Sequence, residues 1–245
     1  MPEFSLPKVI GHRGAAAYAP ENTLEGIREA AHRGAGWVEF DAKLTSDGVV
    51  ILMHDDTLDR TTSGRGAVSR ASYDEIGRLD AGTWFGAAWR GAQVPRLADA
   101  LALLVELDMQ ANIEIKPCSG REIETAQAVV EVVRHNWPAG RPLPLLSSFS
   151  RASLSKAHAE APDIPRGFLI WEFIVDWDVA AATLGCVSIH CADQHLTPSW
   201  AQQIRRAGYG LAVYTVNDPV RARQLQGWGV QCLFTDRPDA IIEVA

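Results

Sequence analysis

Short apolar runs alternate with segments of helical periodicity along almost the whole chain of 245 residues. Residues 8–11 form the first apolar run. A helical segment follows, which Asn22 or Thr23 can cap and which carries its apolar residues on one face. A second strand is predicted at residues 38–44, so the chain opens with a strand–helix–strand unit.

The alternation resumes at residue 97 and continues to the end of the chain. Six further strands are predicted at residues 111–117, 143–148, 166–170, 186–191, 210–216 and 230–234. Helices are predicted around them at residues 98–107, 122–135, 151–158, 176–184, 198–207, 219–226 and from 236 onward. Eight strand–helix units in a chain of this length predict an α/β fold, a closed (β/α)8 TIM barrel. An open doubly wound sheet is the alternative, but no glycine-rich dinucleotide motif follows any strand.

One segment interrupts this pattern. Residues 56–96 are rich in Gly, Ser, Arg and Thr, contain the aromatic residues Trp84, Phe85 and Trp89, and are too long for a plain connection. We therefore expect a single domain over residues 1–245, with a small insertion at 56–96 after the second strand.

Composition and charge restrict the partners of the protein. The net charge is −7 and no basic run is present, which argues against a nucleic-acid surface. No apolar run reaches the roughly 18 residues of a membrane span, and the first residues lack the pattern of a signal peptide. The cysteines are scattered, which is typical of a reduced, cytoplasmic protein: Cys118, Cys186, Cys191 and Cys232.

Two of these cysteines lie near His190 and His195, which raises the question of a zinc site. Residues 186–191 have the apolar pattern of a buried strand, in which cysteine behaves as a small hydrophobe. We therefore interpret this cluster as part of the core.

Charged side chains are concentrated where the predicted strands end. Side chains alternate faces along a strand, so Glu39 and Asp41 point to one side of the second strand, as Glu114 and Lys116 do on the third. His12 and Arg13 follow the first strand, and His54 ends the hairpin partner of the second, residues 49–53. Active sites of parallel barrels lie at the carboxyl ends of the strands, so these residues are expected to converge on one rim.

Other polar residues at strand ends have structural interpretations. Ser148 and Asp236 are expected to cap the helices that follow them, and His190 is expected to be a core or rim histidine. For His12 and Lys116 two interpretations stay open at this point, a functional one and that of an ordinary loop histidine or solvent-exposed lysine.

The types of residue at this rim indicate a chemistry. Three carboxylates, Glu39, Asp41 and Glu114, provide an oxygen-rich site for one hard divalent cation, Mg²⁺ or Ca²⁺. Arg13 and Lys116 would complete a phosphate pocket together with that cation. Two imidazoles that titrate near neutral pH can act as acid and base on opposite sides of a phosphorus atom.

Seven short motifs, in order over nearly the whole chain, resemble those of the glycerophosphodiester phosphodiesterases, most closely the bacterial cytosolic branch. They are Gly11-His12-Arg13-Gly14, Pro20-Glu21-Asn22-Thr23, Glu39-Phe40-Asp41, Thr45-Ser46-Asp47-Gly48-Val49, His54-Asp55, Asn112-Ile113-Glu114-Ile115-Lys116 and Val213-Tyr214-Thr215-Val216-Asn217. Their combination is highly specific, although no single motif is.

The resemblance implies a TIM barrel that hydrolyses glycerophosphodiesters to sn-glycerol 3-phosphate and an alcohol, through a cyclic phosphate formed by the neighbouring glycerol hydroxyl. It implies that His12 and His54 are the acid–base pair. The remaining implied roles are metal binding by Glu39, Asp41 and Glu114, phosphate binding by Arg13 and Lys116, and packing of Tyr214 against the glycerol. The family often has Trp at this last position. Tyr214 is therefore a departure from the family pattern, and it affects only the fit of the glycerol.

Two rival functions remain. A related TIM-barrel phosphodiesterase acting on phosphoinositide or sphingomyelin-type lipids would need an apolar rim, for which Trp84, Phe85 and Trp89 are the candidates. A non-catalytic phosphate-binding barrel would lack a histidine or a metal carboxylate, and none is missing. For the hydrolase, the insertion is expected to confine the leaving group with these same aromatic residues.

Overall fold

The computed structural model of the protein describes residues 4–245. Residues 1–3, which belong to the segment interpreted above as lacking a signal-peptide pattern, lie outside the described residues. The strands are β1 (Val9–Gly11), β2 (Trp37–Leu44), β3 (Val50–Leu52), β4 (Gln110–Ile115), β5 (Leu145–Ser148), β6 (Arg166–Ile170), β7 (Ser188–Ala192), β8 (Gly210–Tyr214) and β9 (Cys232–Thr235). The helices are α1 (Leu24–His32), α2 (Tyr73–Ile76), α3 (Leu97–Glu106), α4 (Glu122–Asn136), α5 (Arg151–Glu160), α6 (Trp177–Thr183), α7 (Pro198–Arg206), α8 (Pro219–Gly227) and α9 (Pro238–Ile242).

Eight parallel strands close into a barrel. The order around it is β1, β9, β8, β7, β6, β5, β4, β2, and β1 pairs with both β9 and β2, so the sheet has no open edge among these strands. The short strand β3 pairs antiparallel with β2 outside the closed ring. The predicted (β/α)8 barrel is confirmed, and the open doubly wound sheet is wrong.

The second strand separates its charged and apolar residues as its alternation predicts. Val38, Phe40 and Ala42 belong to the buried layer between the strands and the helices. The intervening residues, Glu39 and Asp41 among them, face the other way, into the barrel. Because both faces of this strand are buried, the carboxylates lie in a low-dielectric environment and need nearby positive charge.

Local capping differs from prediction at two strand ends. Helix α1 is capped by Thr23, whose Oγ1 accepts a hydrogen bond from the Gly26 N–H, as one of the two alternatives predicted. Ser150, and not Ser148, caps α5; the Ser148 hydroxyl donates to the Ile115 carbonyl instead. Asp236 does not cap α9 either, because its carboxylate binds other side chains. Both capping expectations were wrong because longer-range acceptors and donors compete for these side chains.

The segment between β3 and α3 contains one short α-helix, α2, two 3-10 helices at Val68–Arg70 and Ala87–Trp89, and a small apolar cluster of its own. The cluster consists of Ile51, Met53, Leu58, Val68, Ile76, Ala81 and Val94. Since Ile51 belongs to β3, the cluster is anchored on the hairpin that extends from β2. Among the described residues, no helix combines the length and apolar character that crossing a membrane requires.

Candidate active site

Three carboxylates lie together on the neighbouring parallel strands β2 and β4. Glu39 and Asp41 come from β2 and Glu114 from β4, and the register of the two strands places Asp41 opposite Glu114. One oxygen of each side chain lies within 4.8 Å of the others, and all three residues are buried. The structure therefore brings together the three residues that were expected to bind a metal.

The electrostatics of this triad favour an added cation. Burial, and then the charges of Asp41 and Glu114, raise the pKa of Glu39 well above its ordinary value. Burial and the Asp41 charge raise the pKa of Glu114 to about 7. Burial also opposes ionisation of Asp41, but Arg13 and Lys116 hold its pKa below the ordinary value. Carboxylate oxygens that repel one another in a buried cluster fit a hard divalent cation.

Two cations already contact the triad. The Lys116 Nζ lies 2.9 Å from Glu114 Oε1 and 3.4 Å from Asp41 Oδ1. The Arg13 Nε lies 3.4 Å from Asp41 Oδ2, and the Arg13 backbone N–H donates to Glu39 Oε2 at 3.0 Å. Two positive charges against three negative ones leave a net negative charge at the triad when all are ionised.

A tight turn positions His12 and Arg13 above the triad. Arg13 has a φ of +50° and Gly14 one of +91°. A Cβ added at Gly14 would lie 2.5 Å from the backbone of Gly26 in α1, and one added at Gly11 would lie 2.4 Å from the Gly14 carbonyl oxygen. Glycine is thus required on both sides of His12-Arg13 because the backbone of the turn packs against itself and against α1.

His12 is oriented by a carboxylate from the other end of the chain. Its Nδ1 lies 2.7 Å from Asp236 Oδ1, and Asn217 Nδ2 donates to the second Asp236 oxygen at 2.6 Å. A carboxylate accepts hydrogen bonds, so His12 Nδ1 carries the proton and Nε2 is left for the cleft, 4.0 Å from Glu39 Oε2.

His54 is oriented by a carboxylate in the same way. Its Nδ1 lies 2.7 Å from Asp55 Oδ1, and Arg60 donates to both Asp55 oxygens. Arg60 also binds Glu21, which in turn accepts from Arg13 at 2.7 Å, so His54 is linked to the triad by a chain of ion pairs. Burial, followed by the charges of Arg13 and Lys116, lowers the pKa of His54 below its ordinary value, against the opposing effect of Asp41.

Sequence reasoning missed the residues that orient these groups. Asn22 was considered as a helix cap, but its amide donates to Asp41 Oδ2 at 2.8 Å and its oxygen accepts from the Asp41 N–H at 3.0 Å. It has a φ of +57°, a conformation that Asn adopts more readily than most residues. Asp236 was likewise interpreted as a cap. Its partner His12 is 224 positions away, so no local pattern signals the contact.

Two of the three carboxylates, Glu39 and Glu114, line one cleft of about 230 Å³ together with both histidines. The charged side of the cleft consists of His12, Arg13, Glu39, His54, Glu114 and Lys116. The apolar side consists of Phe149, Leu169, Trp171, Tyr214 and Phe234, while Asn112 and Ser147 form a hydrogen-bonded pair between the two sides. Trp84, Phe85 and Trp89 of the insertion, which are expected to confine the leaving group, pack on one another and do not line this cleft.

Tyr214 and Phe149 meet on the apolar side. Their rings form a T-shaped pair with centroids 6.0 Å apart, and the Tyr214 hydroxyl donates to the Ile170 carbonyl at 3.1 Å. Lys116 Nζ lies 5.6 Å from the Phe149 ring centroid. The apolar side therefore touches the charged side at Lys116.

The zinc interpretation finds no support in the geometry. Across residues 4–245, the acidic triad is the one group of three or more His, Cys, Asp or Glu side chains close enough to share a metal. His190 is fully buried and bonds the Ser188 hydroxyl through Nε2, and burial lowers its pKa to about 3. It is a core histidine, which is one of the two positions, core or rim, that were predicted for it.

Comparison with known proteins agrees with this geometry. The model of the glycerophosphoryl diester phosphodiesterase family matches residues 12–240. A glycerophosphodiester phosphodiesterase of Caldanaerobacter subterraneus is 31% identical over 240 residues, which cover 96% of each chain.

Solved structures extend the likeness to three dimensions. A phosphodiesterase from Oleispira antarctica, solved in complex with the product sn-glycerol-3-phosphate, has a TM-score of 0.94 at 36% identity, covering 98% of this chain and 96% of that one. A glycerophosphodiester phosphodiesterase from Agrobacterium tumefaciens has a TM-score of 0.78 at 31% identity, covering 98% and 100%. With a family match over nearly its whole length and a barrel of the same fold, the chain belongs to the glycerophosphoryl diester phosphodiesterase family.

Proposed function

We propose that this phosphodiesterase hydrolyses glycerophosphodiesters to sn-glycerol 3-phosphate and an alcohol, with His12 and His54 as the acid–base pair. The observation that carries the proposal is the pairing of both histidines with carboxylates through Nδ1, in one cleft with Glu39 and Glu114 of the buried acidic triad. The product named for the structure from Oleispira antarctica supports the same substrate class.

Glu39, Asp41 and Glu114 hold one divalent cation, Mg²⁺ or Ca²⁺, in this proposal. The fit is supported by an all-oxygen donor set and by the mutual repulsion that raises the pKa of Glu39 and Glu114. A divalent cation bound there would supply positive charge beside the reacting phosphate and polarise its ligands. Asn22 fixes the orientation of Asp41 by accepting from its N–H and donating to its carboxylate.

Arg13 and Lys116 bind the phosphate. Both line the cleft and both already contact the triad, so their positive charges are held next to where the phosphate must lie. The pKa of Lys116 is raised, since Asp41 and Glu114 outweigh the effect of burial, and the side chain stays charged at neutral pH. Tyr214, on the other side of the cleft, packs against the glycerol.

The two histidines exchange one proton each with the substrate. With Nδ1 protonated and bound to a carboxylate, each neutral imidazole has a basic Nε2 available to the cleft. One histidine takes the proton of the attacking hydroxyl, and the other, protonated, donates to the leaving alcohol. The attacking hydroxyl is that of the substrate's own glycerol, so the first product is a cyclic phosphate that water then opens. One-metal chemistry is supported by potential metal ligands that occur together once within residues 4–245, as Glu39, Asp41 and Glu114, whereas a two-metal hydrolase needs more carboxylates.

Release of sn-glycerol 3-phosphate from glycerophosphocholine and glycerophosphoethanolamine tests the function. We expect stoichiometric release of sn-glycerol 3-phosphate and free base, and loss of both in the presence of chelator. Cyclic glycerol phosphate, supplied directly, should be hydrolysed at least as fast as the diester. Release of phosphocholine in place of choline would contradict the proposed bond cleavage.

Two further expectations belong to this proposal. A cytoplasmic location is supported by the four cysteines, which are all buried and unpaired. A single domain with an insertion at residues 56–96 is supported by the anchoring of the insertion's apolar cluster on β3. Limited proteolysis should cut within 56–96 before it cuts the barrel strands.

A further inference from the structure

Arg60, in the insertion at residues 56–96, binds two carboxylates at once. Its Nε donates to Asp55 Oδ2 at 2.7 Å, and its Nη2 donates to Asp55 Oδ1 at 3.0 Å. Its Nη1 donates to Glu21 Oε2 and its Nη2 to Glu21 Oε1, both at 2.8 Å. The planar guanidinium thus makes two hydrogen bonds to each carboxylate, a geometry that fixes orientation as well as distance.

Each of these carboxylates also holds a residue of the proposed reaction. Asp55 Oδ1 lies 2.7 Å from His54 Nδ1. Glu21 Oε1 accepts from Arg13 Nη1 at 2.7 Å. In both carboxylates the oxygen that contacts the cleft residue is the one that accepts from Arg60 Nη2. A displacement of this guanidinium would therefore be passed on to the histidine and to the arginine together.

The backbone around Arg60 is anchored. Leu58, Thr61 and Thr62 are buried. The backbone N–H and the hydroxyl of Thr62 both donate to the Leu58 carbonyl, at 3.1 Å and 2.6 Å, which closes a turn around position 60. The guanidinium is thus presented from a fixed turn, so it can hold its partners in place.

Both carboxylates depend on Arg60 for their charge. Burial opposes the ionisation of Glu21, but hydrogen bonds from Arg60 and the charges of both arginines lower its pKa below the ordinary value. The hydrogen bond from Arg60 is the largest influence on Asp55 and lowers the pKa of that carboxyl as well. Without Arg60, each carboxylate would keep only its contact with the cleft residue and would be free to turn away from it.

The exposure of the three side chains argues against a mainly stabilising role. The Arg60 side chain is 44% exposed, whereas Asp55 is 26% and Glu21 11% exposed. Ion pairs that reach solvent contribute little to the stability of a fold. A network of this kind, whose two inner members each hold a group of the cleft, is suited to placing those groups.

We propose that Arg60 is a positioning residue for the reaction, which holds His54 through Asp55 and Arg13 through Glu21 in a fixed relative position. This inference rests on the proposed function, which gives His54 and Arg13 their roles. Arg60 does not itself line the cleft, so it acts through the two carboxylates and does not touch the substrate.

Steady-state kinetics of Arg60→Ala with glycerophosphocholine test this role. Arg78→Ala is the matched control, because Arg78 is another arginine of the insertion and its ion pair with Asp74 is exposed on both sides. Misplacing a reacting group by about 1 Å can cost about 100-fold in rate, so kcat should fall at least about tenfold in Arg60→Ala, with a smaller change in KM. Both constants should be unchanged in Arg78→Ala.

Two further measurements distinguish positioning from a general structural effect. In the His54→Ala background, Arg60→Ala should lower kcat far less than in the wild type, because residues that act as a unit are not additive. Millimolar guanidinium chloride should restore part of the kcat of Arg60→Ala, because the free ion can occupy the place of the missing group. The same concentration of NaCl should not restore it.

Arg60→Lys is the second variant, and it carries the test if Arg60→Ala does not fold. It keeps the positive charge, but an ammonium group is a point charge without the planar fork that serves both carboxylates. We expect its kcat to fall severalfold and guanidinium to have no effect on it, because the lysine side chain occupies the position.

The outcomes separate this inference from the function on which it rests. If the wild-type enzyme releases no sn-glycerol 3-phosphate, or His54→Ala keeps near-normal kcat, the proposed function fails. If His54→Ala lowers kcat while Arg60→Ala and Arg60→Lys behave like Arg78→Ala, the inference fails alone. A loss of kcat in Arg60→Ala that multiplies with that of His54→Ala and that guanidinium does not relieve would also overturn it.

Discussion

The two sides of the cleft differ in how their side chains are held. On the charged side, His12, Glu39 and Lys116 are fixed by ion pairs and hydrogen bonds to neighbours that are themselves paired. On the apolar side, Tyr214 is held by ring packing and by one hydrogen bond from its hydroxyl. Trp171 is less constrained, since 53% of it is exposed.

This difference suits the charged side to catalysis and the apolar side to substrate selection. Proton transfer and charge stabilisation need groups fixed to within a fraction of an ångström, which a network of charge-assisted hydrogen bonds provides. Apolar binding is non-directional and tolerates looser packing. Substitutions on the charged side should therefore lower kcat, and those on the apolar side should change KM or substrate preference.

Removal of divalent cations should have the largest effect. Chelation should reduce turnover to the background rate, because the positive charge of the metal beside the phosphate is lost. Only Arg13 and Lys116 then offset the negative charges of Glu39, Asp41 and Glu114. Addition of Mg²⁺ or Ca²⁺ should restore the rate, and the more effective ion identifies the preferred metal. Full activity in the chelated enzyme would show that the triad has no catalytic metal.

His12→Ala and His54→Ala should each lower kcat by at least about 10²-fold, the usual scale for one acid–base group. The double variant should lose far less than the product of the two, because both histidines serve one proton-transfer cycle. His32→Ala, an exposed histidine in α1, is the control. A single variant with near-normal kcat would mark that histidine as structural.

The acid limb of the rate profile should lie at low pH. The folded pKa of His54 is below the ordinary value of 6.5, so the imidazole is neutral at pH 7 and becomes protonated only as pH falls through this lowered pKa. If His54 is the base that takes the hydroxyl proton, kcat/KM should stay constant down to about pH 6.5 and fall below it. An acid limb centred above pH 7 would assign that role to another group.

Asp236→Asn should lower kcat by about tenfold or more, because an amide can donate to His12 Nδ1 and favour the wrong tautomer. The pH profile should change along with kcat, which a purely structural defect would not produce. Asp163→Asn, at an exposed ion pair with Arg134, should leave both unchanged. Wild-type kcat in Asp236→Asn would remove Asp236 from the account.

Tyr214→Phe should have the smallest effect. It removes the hydrogen bond to Ile170, worth about 1 kcal/mol, and loosens the contact between β8 and the end of β6. We expect KM for glycerophosphocholine to rise about threefold to fivefold with kcat nearly unchanged. A large loss of kcat would place Tyr214 with the charged side and break the distinction between the two sides.

The sequence predicted the charged side well, because its residues lie on strands with period two. Glu39 and Asp41, and likewise Glu114 and Lys116, share a face by spacing alone, and the barrel then brings the two strands side by side. The partners of these residues were not predictable in this way. Asn22 and Asp236 reach the site through contacts between distant segments, and both resemble ordinary helix caps in sequence.

The apolar side was predicted least well. In the sequence, the aromatic candidates are Trp84, Phe85 and Trp89 of the insertion, but in the structure these residues pack on one another and do not line the cleft. Trp171 and Phe173 lie in a short loop where no periodicity distinguishes exposed from buried side chains. Only the folded arrangement of β6 and β8 brings Trp171 to the cleft.

The central claim, that the charged side activates the substrate's own glycerol hydroxyl, is tested most directly by removing that hydroxyl. The measurement is kcat and KM for glycerophosphocholine and for its 2-deoxy analogue, with the same metal and pH. Intramolecular attack avoids a large entropic cost, so we predict a similar KM and a kcat lower by about 10³-fold or more for the analogue. A comparable kcat for the two substrates would contradict the account and show that water attacks phosphorus directly.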